Sequence, residues 1–324
     1  MSTDRCLGCY QPLNGELTGF HPRCARKVFG SAMPPTLPYT EEDLLRLAED
    51  AVKRSITVTG AQTKMSIGVE QMDGAQERFT IVGVWGSHIL KPPTALYPHL
   101  PELEDLTMHL ARLAGIRTVP HALLRLRDAG LVYITRRVDR QGRPGSARHS
   151  KLHMEDMAQV TERITEHKYR GSCEQIAKAL REHAQEPMIA VLEFYEQVLF
   201  GFLTGNADMH LKNFSLLSDL VGRYRLAPAY DHVPTALVLE DNEELALTLN
   251  GRKSKLTRAD FETAMRAAGL NDRAILNLFN RMKKALPKWM EFIPLGFVSE
   301  ELKEKYVALI DERAARMELR ASVG

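Results

Sequence analysis

The chain has 324 residues, 44% of them hydrophobic and 26% charged, with 43 Lys and Arg against 41 Asp and Glu. That length exceeds one small core and points to two lobes. The near-neutral balance decides little and by itself calls for no nucleic-acid partner, and no apolar run approaches the ~18–20 residues that cross a bilayer. The opening MSTDRCLGCYQPL lacks a basic-then-apolar leader pattern, so a cytosolic enzyme with no membrane partner is expected.

The lead carries Cys6-x2-Cys9 and His21-x2-Cys24, four soft or borderline ligands in two close pairs. Tetrahedral zinc favours such pairs, each clasping the metal from one turn. The alternative is a buried set of small apolar cysteines beneath a turn. A Pro-rich connector follows at 31–40, and 40–50 opens on Thr40 and an acidic first turn before helical apolar spacing. Residues 56–70 alternate β-branched side chains around Gly60 and read as strand, loop, strand. FTIVG and SHILKPP add two short strands, 103–113 shows helical spacing, and 122–126 and 131–135 are two more strands about a turn at 128–130.

A polar loop at 140–150 precedes a second half dominated by helical patterns, at 174–185, 188–204, 258–268, 272–290 and 298–318. The expected class is α+β, with a β-rich first lobe over 1–138 and a mostly helical second lobe over 139–324. Trp85 and Trp289 read as core or lobe-packing residues, and Cys173 as a buried thiol.

The chemistry concentrates in GNADMHLKNFSL (205–216), which leaves a strongly apolar helix. Asp208 precedes Asn213 by five positions, the spacing of a protein-kinase catalytic loop, in which an Asp accepts the substrate hydroxyl proton and an Asn ligates magnesium. In LAPAYDHVP, Asp231 falls at the end of a short apolar strand, a place suited to a second magnesium ligand. His210 is expected to orient the loop by hydrogen bonding. Lys91, on the HILK strand, fits a nucleotide-phosphate lysine, with Glu104 or Glu102 on the next helix as its ion-pair partner. Neither a Walker A loop nor a G-x-G-x-x-G occurs, so the phosphate-covering loop would be Thr59, Gly60, Ala61 and Gln62.

Taken together, TVTGAQTKMS (57–66), HILKPP, RRVDR (136–140), GNADMHLKNFSL, LAPAYDHV and LTLNGRKSK resemble, in order, the HipA-like kinases of bacterial toxin–antitoxin systems. The resemblance implies a bilobal protein-kinase-like fold of the HipA type and ATP- and Mg2+-dependent phosphorylation of serine or threonine. It makes Asp208 the catalytic Asp, Asn213 and Asp231 the magnesium ligands and Lys91 the phosphate-binding Lys. Arg136 and Val138 fall where the family's hinge backbone meets adenine. The short form is similar to the HipT branch, in which the extra N-terminal subdomain of HipA is a separate small protein acting beside a DNA-binding antitoxin. DNA contact would then be indirect.

The resemblance further implies an aminoacyl-tRNA synthetase substrate, of glutamyl or tryptophanyl type, and arrest of translation. In the family the Gly-rich loop carries autophosphorylated serine; here Thr57 and Thr59 stand at those positions, with Ser55 just before. Threonine carries the same hydroxyl on a stiffer side chain, so autophosphorylation of Thr57, Thr59 or both is expected. Two other readings stay open: a small-molecule kinase of the aminoglycoside or choline type, and a non-catalytic scaffold that holds an antitoxin.

Overall fold

The computed structural model describes residues 5–13, 15, 18–53, 64–72, 77–82, 85–94, 96–97, 99–142, 150–239 and 243–320. The chain divides into two compact units, one of Met1–Asp105 with Val119–Lys151 and one of Leu106–Thr118 with Leu152–Gly324. A sequence-based division at 138/139 differs in two places. The supposed loop at 140–150 begins and ends in a two-stranded ribbon, Arg140 pairing Lys151, which stays with the first unit. Residues 106–118 group with the second unit, where Trp289 Nε1 donates to Leu110 O and Thr107 bonds Tyr306.

The first unit begins with α1 (Pro22–Phe29) and α2 (Glu41–Lys53). Reciprocal bonds start α2, Asp43 N donating to Thr40 Oγ1 and Thr40 N to Asp43 Oδ2. Next come β1 (Met65–Gln71), β2 (Glu77–Ile81), β3 (His88–Lys91), α3 (Leu100–Leu113), of which Leu106–Leu113 groups with the second unit, β4 (His121–Arg125) and β5 (Leu131–Arg136). These five strands form an antiparallel sheet in the order β2-β1-β3-β5-β4. The ribbon strands β6 (Arg140–Gln141) and β7 (Ser150–Lys151) follow. Ala129, at φ 70, turns β4 into β5 as the turn signal at 128–130 requires. Ile67, Phe79, Leu90 and Val132 bury the core face. The β3–β5 register sets Lys91 opposite Tyr133.

In the second unit β8 (Met154–Asp156), β9 (Ser215–Ser218) and β10 (Tyr224–Leu226) form a small antiparallel sheet. Its helices are α4 (Met157–Val160), α5 (Cys173–His183), α6 (Pro187–Leu203), α7 (Arg258–Ala267), α8 (Asp272–Phe292) and α9 (Glu300–Arg316). Every residue of α6 from Phe194 to Leu203 is buried, the mark of a helix enclosed on all sides. Phe200 packs edge-on against Trp289, and Phe202 against Phe261.

Two expectations fail here. Trp289 is a core residue, but Trp85 is 73% exposed, with the Arg140 guanidinium 5.9 Å from its ring. The strand before Asp231 ends at Leu226, and Asp231 sits in irregular chain at φ 66, a left-handed conformation costly for a residue with a Cβ. Cys173 is buried in the first turn of α5, as expected. Among the described residues no helix is long and apolar enough to cross a membrane.

Candidate active site

The enclosed helix α6 delivers the chain to the site, and Gly205 turns it there. Gly205 takes φ 78 and its N–H bonds Phe202 O; a Cβ on it would come within 2.5 Å of Leu309 Cδ2. Glycine meets both conditions without strain. Asn206, nearly fully buried, then ties two segments together. Its Oδ1 accepts from Asp208 N at 3.2 Å, and its Nδ2 donates to Asp231 O at 3.4 Å. Thr235 adds a second stitch, its Oγ1 accepting from Ala207 N and donating to Gly205 O. The segments at 205–208 and 231–235 are therefore held as one piece.

Within that frame Asn213 Nδ2 donates to Asp231 Oδ2 at 2.9 Å, while Asn213 Oδ1 accepts from His210 N at 3.0 Å. An amide and a carboxylate 18 positions apart in sequence thus meet. Both are hard oxygen-bearing groups, the donor type that magnesium selects. Asp208 Oδ1 accepts the Tyr169 hydroxyl at 2.6 Å, and the Tyr169 ring stands edge-on to His210 at 5.1 Å. Burial first, then the hydrogen bond to Asp208 and the charges of Asp208 and Asp231, hold the Tyr169 hydroxyl above its ordinary pKa range. Tyr169 therefore stays a proton donor at working pH. His210 meets Asn213 through its backbone N–H and Tyr169 through its ring.

Lys212, between His210 and Asn213, is committed elsewhere: its Nζ bonds Asp156 Oδ2 at 2.6 Å, and Asp156 also caps α4 through Gln159 N. Tyr230 completes the floor, its hydroxyl donating to Lys212 O and bonding Ser215 Oγ.

In the first unit Lys91 is buried and its Nζ lies 2.5 Å from Glu104 Oε1. Of the two candidate partners, Glu104 makes the pair. Glu102 is buried apart from it, with Oε2 lacking a hydrogen-bond partner among the described residues, and burial pushes its carboxyl up to about 7. Arg136 closes β5 and its guanidinium donates to Gly142 O, while Val138 follows in a turn. Thr57, Thr59, Gly60 and Gln62 lie outside the described residues. Cys6, Cys9, His21 and Cys24 come together in the lead of this unit, their ligand atoms all within 4.8 Å of one another.

Asn206, Tyr169, Asp156 and Lys212 escape a reading of the sequence. Asn206 carries a local signal, an Asn two residues before a loop Asp. Tyr169 carries none, since it meets Asp208 from 39 positions away.

The family model described as HipA-like C-terminal domain matches residues 56–290. The chain is 31% identical over 244 residues to the Sinorhizobium fredii protein named "Putative kinase Y4dM", a match covering 71% of this chain and 57% of that one. It is 24% identical over 287 residues to the serine/threonine-protein kinase toxin HipA of Shewanella oneidensis, covering 80% of this chain and 64% of that one. The chain thus spans little more than half the length of the first of these relatives. The solved complex of Shewanella oneidensis HipA, HipB and operator DNA superimposes with a TM-score of 0.70 at 22% identity, over 87% of this chain and 71% of that one. That likeness establishes the mixed α+β fold of the HipA type.

Proposed function

The chain belongs to the family of the HipA-like C-terminal domain, and from that premise we propose that it is an ATP-dependent kinase that phosphorylates serine or threonine hydroxyls of a protein. The observation that carries this reading is the meeting of Asn213 with Asp231 in the same loop frame that presents Asp208. When bound, Mg2+–ATP would supply the transferable phosphoryl group and the charge that neutralises it.

The chain's own residues divide the remaining work. Asn213 and Asp231 offer the oxygen ligands for magnesium. Lys91, steered by Glu104, binds nucleotide phosphate, and the backbone at Arg136 and Val138 meets the adenine. Asp208 accepts the proton of the attacking hydroxyl. Its Oδ1 already accepts a hydroxyl, that of Tyr169, which a substrate hydroxyl would replace. His210 positions the loop and Tyr169 holds Asp208 between substrates.

The finer reading is a toxin of a bacterial toxin–antitoxin pair, of the HipT-like kind, acting in the cytoplasm. Its substrate would be a tryptophanyl- or glutamyl-tRNA synthetase, and the outcome inhibition of translation. Its partners would be a small protein resembling the HipA N-terminal subdomain and a DNA-binding antitoxin, with DNA reached only through the latter. The HipA of Shewanella oneidensis, solved with HipB and operator DNA, supports this assembly by analogy. Autophosphorylation of Thr57, Thr59 or both would add charge to the Gly-rich loop and displace it from the nucleotide.

The test incubates purified protein with labelled Mg2+–ATP and, separately, each synthetase, an aminoglycoside and choline. Label on serine or threonine of a synthetase is expected. Label on a small molecule alone would replace this reading with a small-molecule kinase, and none at all would favour the scaffold.

A further inference from the structure

The lead in front of the kinase-family region contains a set of groups that the proposed phosphoryl transfer does not use. Cys6 and Cys9 sit on one tight turn, closed by Tyr10 N donating to Cys6 O at 2.8 Å with Tyr10 at φ 64. His21 caps α1, and Cys24 lies in its first turn, with Cys24 N donating to His21 O at 2.9 Å. Two turns therefore face each other and bring three sulfurs and one imidazole nitrogen within 4.8 Å. Gly8 lets them approach, since a Cβ there would already press on Cys24 Cβ at 3.2 Å and on the Phe20 ring.

From this convergence we propose that Cys6, Cys9, His21 and Cys24 hold one structural zinc ion in a closed Cys3His site. A tetrahedron with Zn–S near 2.3 Å has edges of about 3.8 Å, somewhat shorter where one ligand is nitrogen. The Cys9 Sγ to His21 Nδ1 separation is 3.3 Å, close to that edge. The surrounding bonds have the pattern of a built site. His21 Nε2 lies 2.9 Å from Pro12 O, an oxygen that can only accept, so Nε2 carries the proton and Nδ1 presents its lone pair toward the sulfurs. Cys6 Sγ accepts from Gly8 N at 3.4 Å and from His21 N at 3.3 Å, bonds that favour a thiolate ligand. All four cysteines of the chain are free thiols, so no disulfide competes for these atoms.

Four protein ligands leave no open coordination position, which makes the ion a structural one with no catalytic role. Its work is to lock the two facing turns together, so that binding the ion adds to folding stability. Leu7 O accepts from Leu123 N, docking the first turn on β4. On the other side α1 sets Phe29 against Phe20 and Phe79, and Val28 O accepts from His88 Nε2 at 3.0 Å. His88 opens β3, the strand that ends on Lys91. Metal binding therefore secures α1 on the strand that carries the lysine.

The test measures metal in the full-length protein by mass spectrometry and replaces it with Co2+. One zinc per chain is expected, and the Co2+ form should show thiolate charge-transfer bands and the intense visible absorption of tetrahedral cobalt. Cys9→Ser and Cys24→Ser should lose both signals, whereas Cys173→Ser keeps them. His21→Cys, which preserves four ligands, should retain a tetrahedral spectrum even if other variants fail to fold. Metal-free wild-type protein that takes up no Co2+, or equal zinc in wild type and Cys24→Ser, overturns the proposal. Neither readout depends on phosphoryl transfer, so the zinc site and the kinase reading stand or fall separately.

Discussion

The Tyr169 hydroxyl donates to Asp208 Oδ1 at 2.6 Å, and its own pKa is held high by burial and by that bond. A phenol that stays protonated cannot itself be a base, and under the proposed function Tyr169 stands where a substrate hydroxyl would meet Asp208.

Tyr169→Phe should therefore lower the apparent KM for the protein substrate while leaving the fold intact. Tyr169 is 43% exposed, so the lost hydrogen bond should cost only about 1 kcal/mol of stability. Steady-state kinetics with a thermal melt check both points; a large fall in kcat with unchanged KM would mean that the hydroxyl positions Asp208 during the reaction.

The Lys91–Glu104 pair is buried on both sides, and removing one partner takes the counter-charge from the other. Lys91→Ala and Glu104→Ala should each cost about 3–5 kcal/mol by urea unfolding. The double variant combining Lys91→Met with Glu104→Leu should recover much of that stability but none of the transfer activity. Recovery of both would remove Lys91 from the nucleotide site.

Glu102 gives a pH dependence with a definite sign. Burial raises its carboxyl to about 7 from 4.5, so between those values the folded protein binds more protons than the unfolded chain. Stability contributed by the neutral form is complete below 4.5 and is lost as pH rises through about 7, by up to about 3 kcal/mol. Glu196, also raised to about 7 by burial, acts in the same direction. Melting temperatures from pH 5 to 8 should fall less steeply for Glu102→Gln than for wild type; parallel curves would exclude Glu102 as a source.

Thr57, Thr59 or both should carry phosphate in the active protein and not in Asp208→Asn. Phosphopeptide mass spectrometry of both proteins reads this directly, and equal phosphate on both would sink self-modification.

The parts of this protein legible in its sequence are those governed by local pattern. The Asp208–Asn213 spacing, the apolar helix before it, the lysine strand and the five sheet strands all follow short-range rules. What escapes depends on chain segments distant in sequence. Tyr169 reaches Asp208, and Asn206 reaches Asp231, only after folding. Local pattern puts Asp231 on a strand end because Leu226 and Ala227 look like a strand running on. The chain instead leaves the sheet at Leu226 and turns left-handed at Asp231. The size of Trp85 suggests burial, yet it stands exposed beside Arg140.

The most direct test of the central claim is γ-phosphate transfer to protein hydroxyls by wild-type and Asp208→Asn protein under single-turnover conditions. Asp208→Asn should keep Mg2+–ATP binding and lose transfer by about 10²–10⁴-fold, the range of a missing general base. Label should appear on phosphoserine or phosphothreonine with wild type. Transfer at equal rates in the two proteins would contradict the assignment of this loop as the catalytic one.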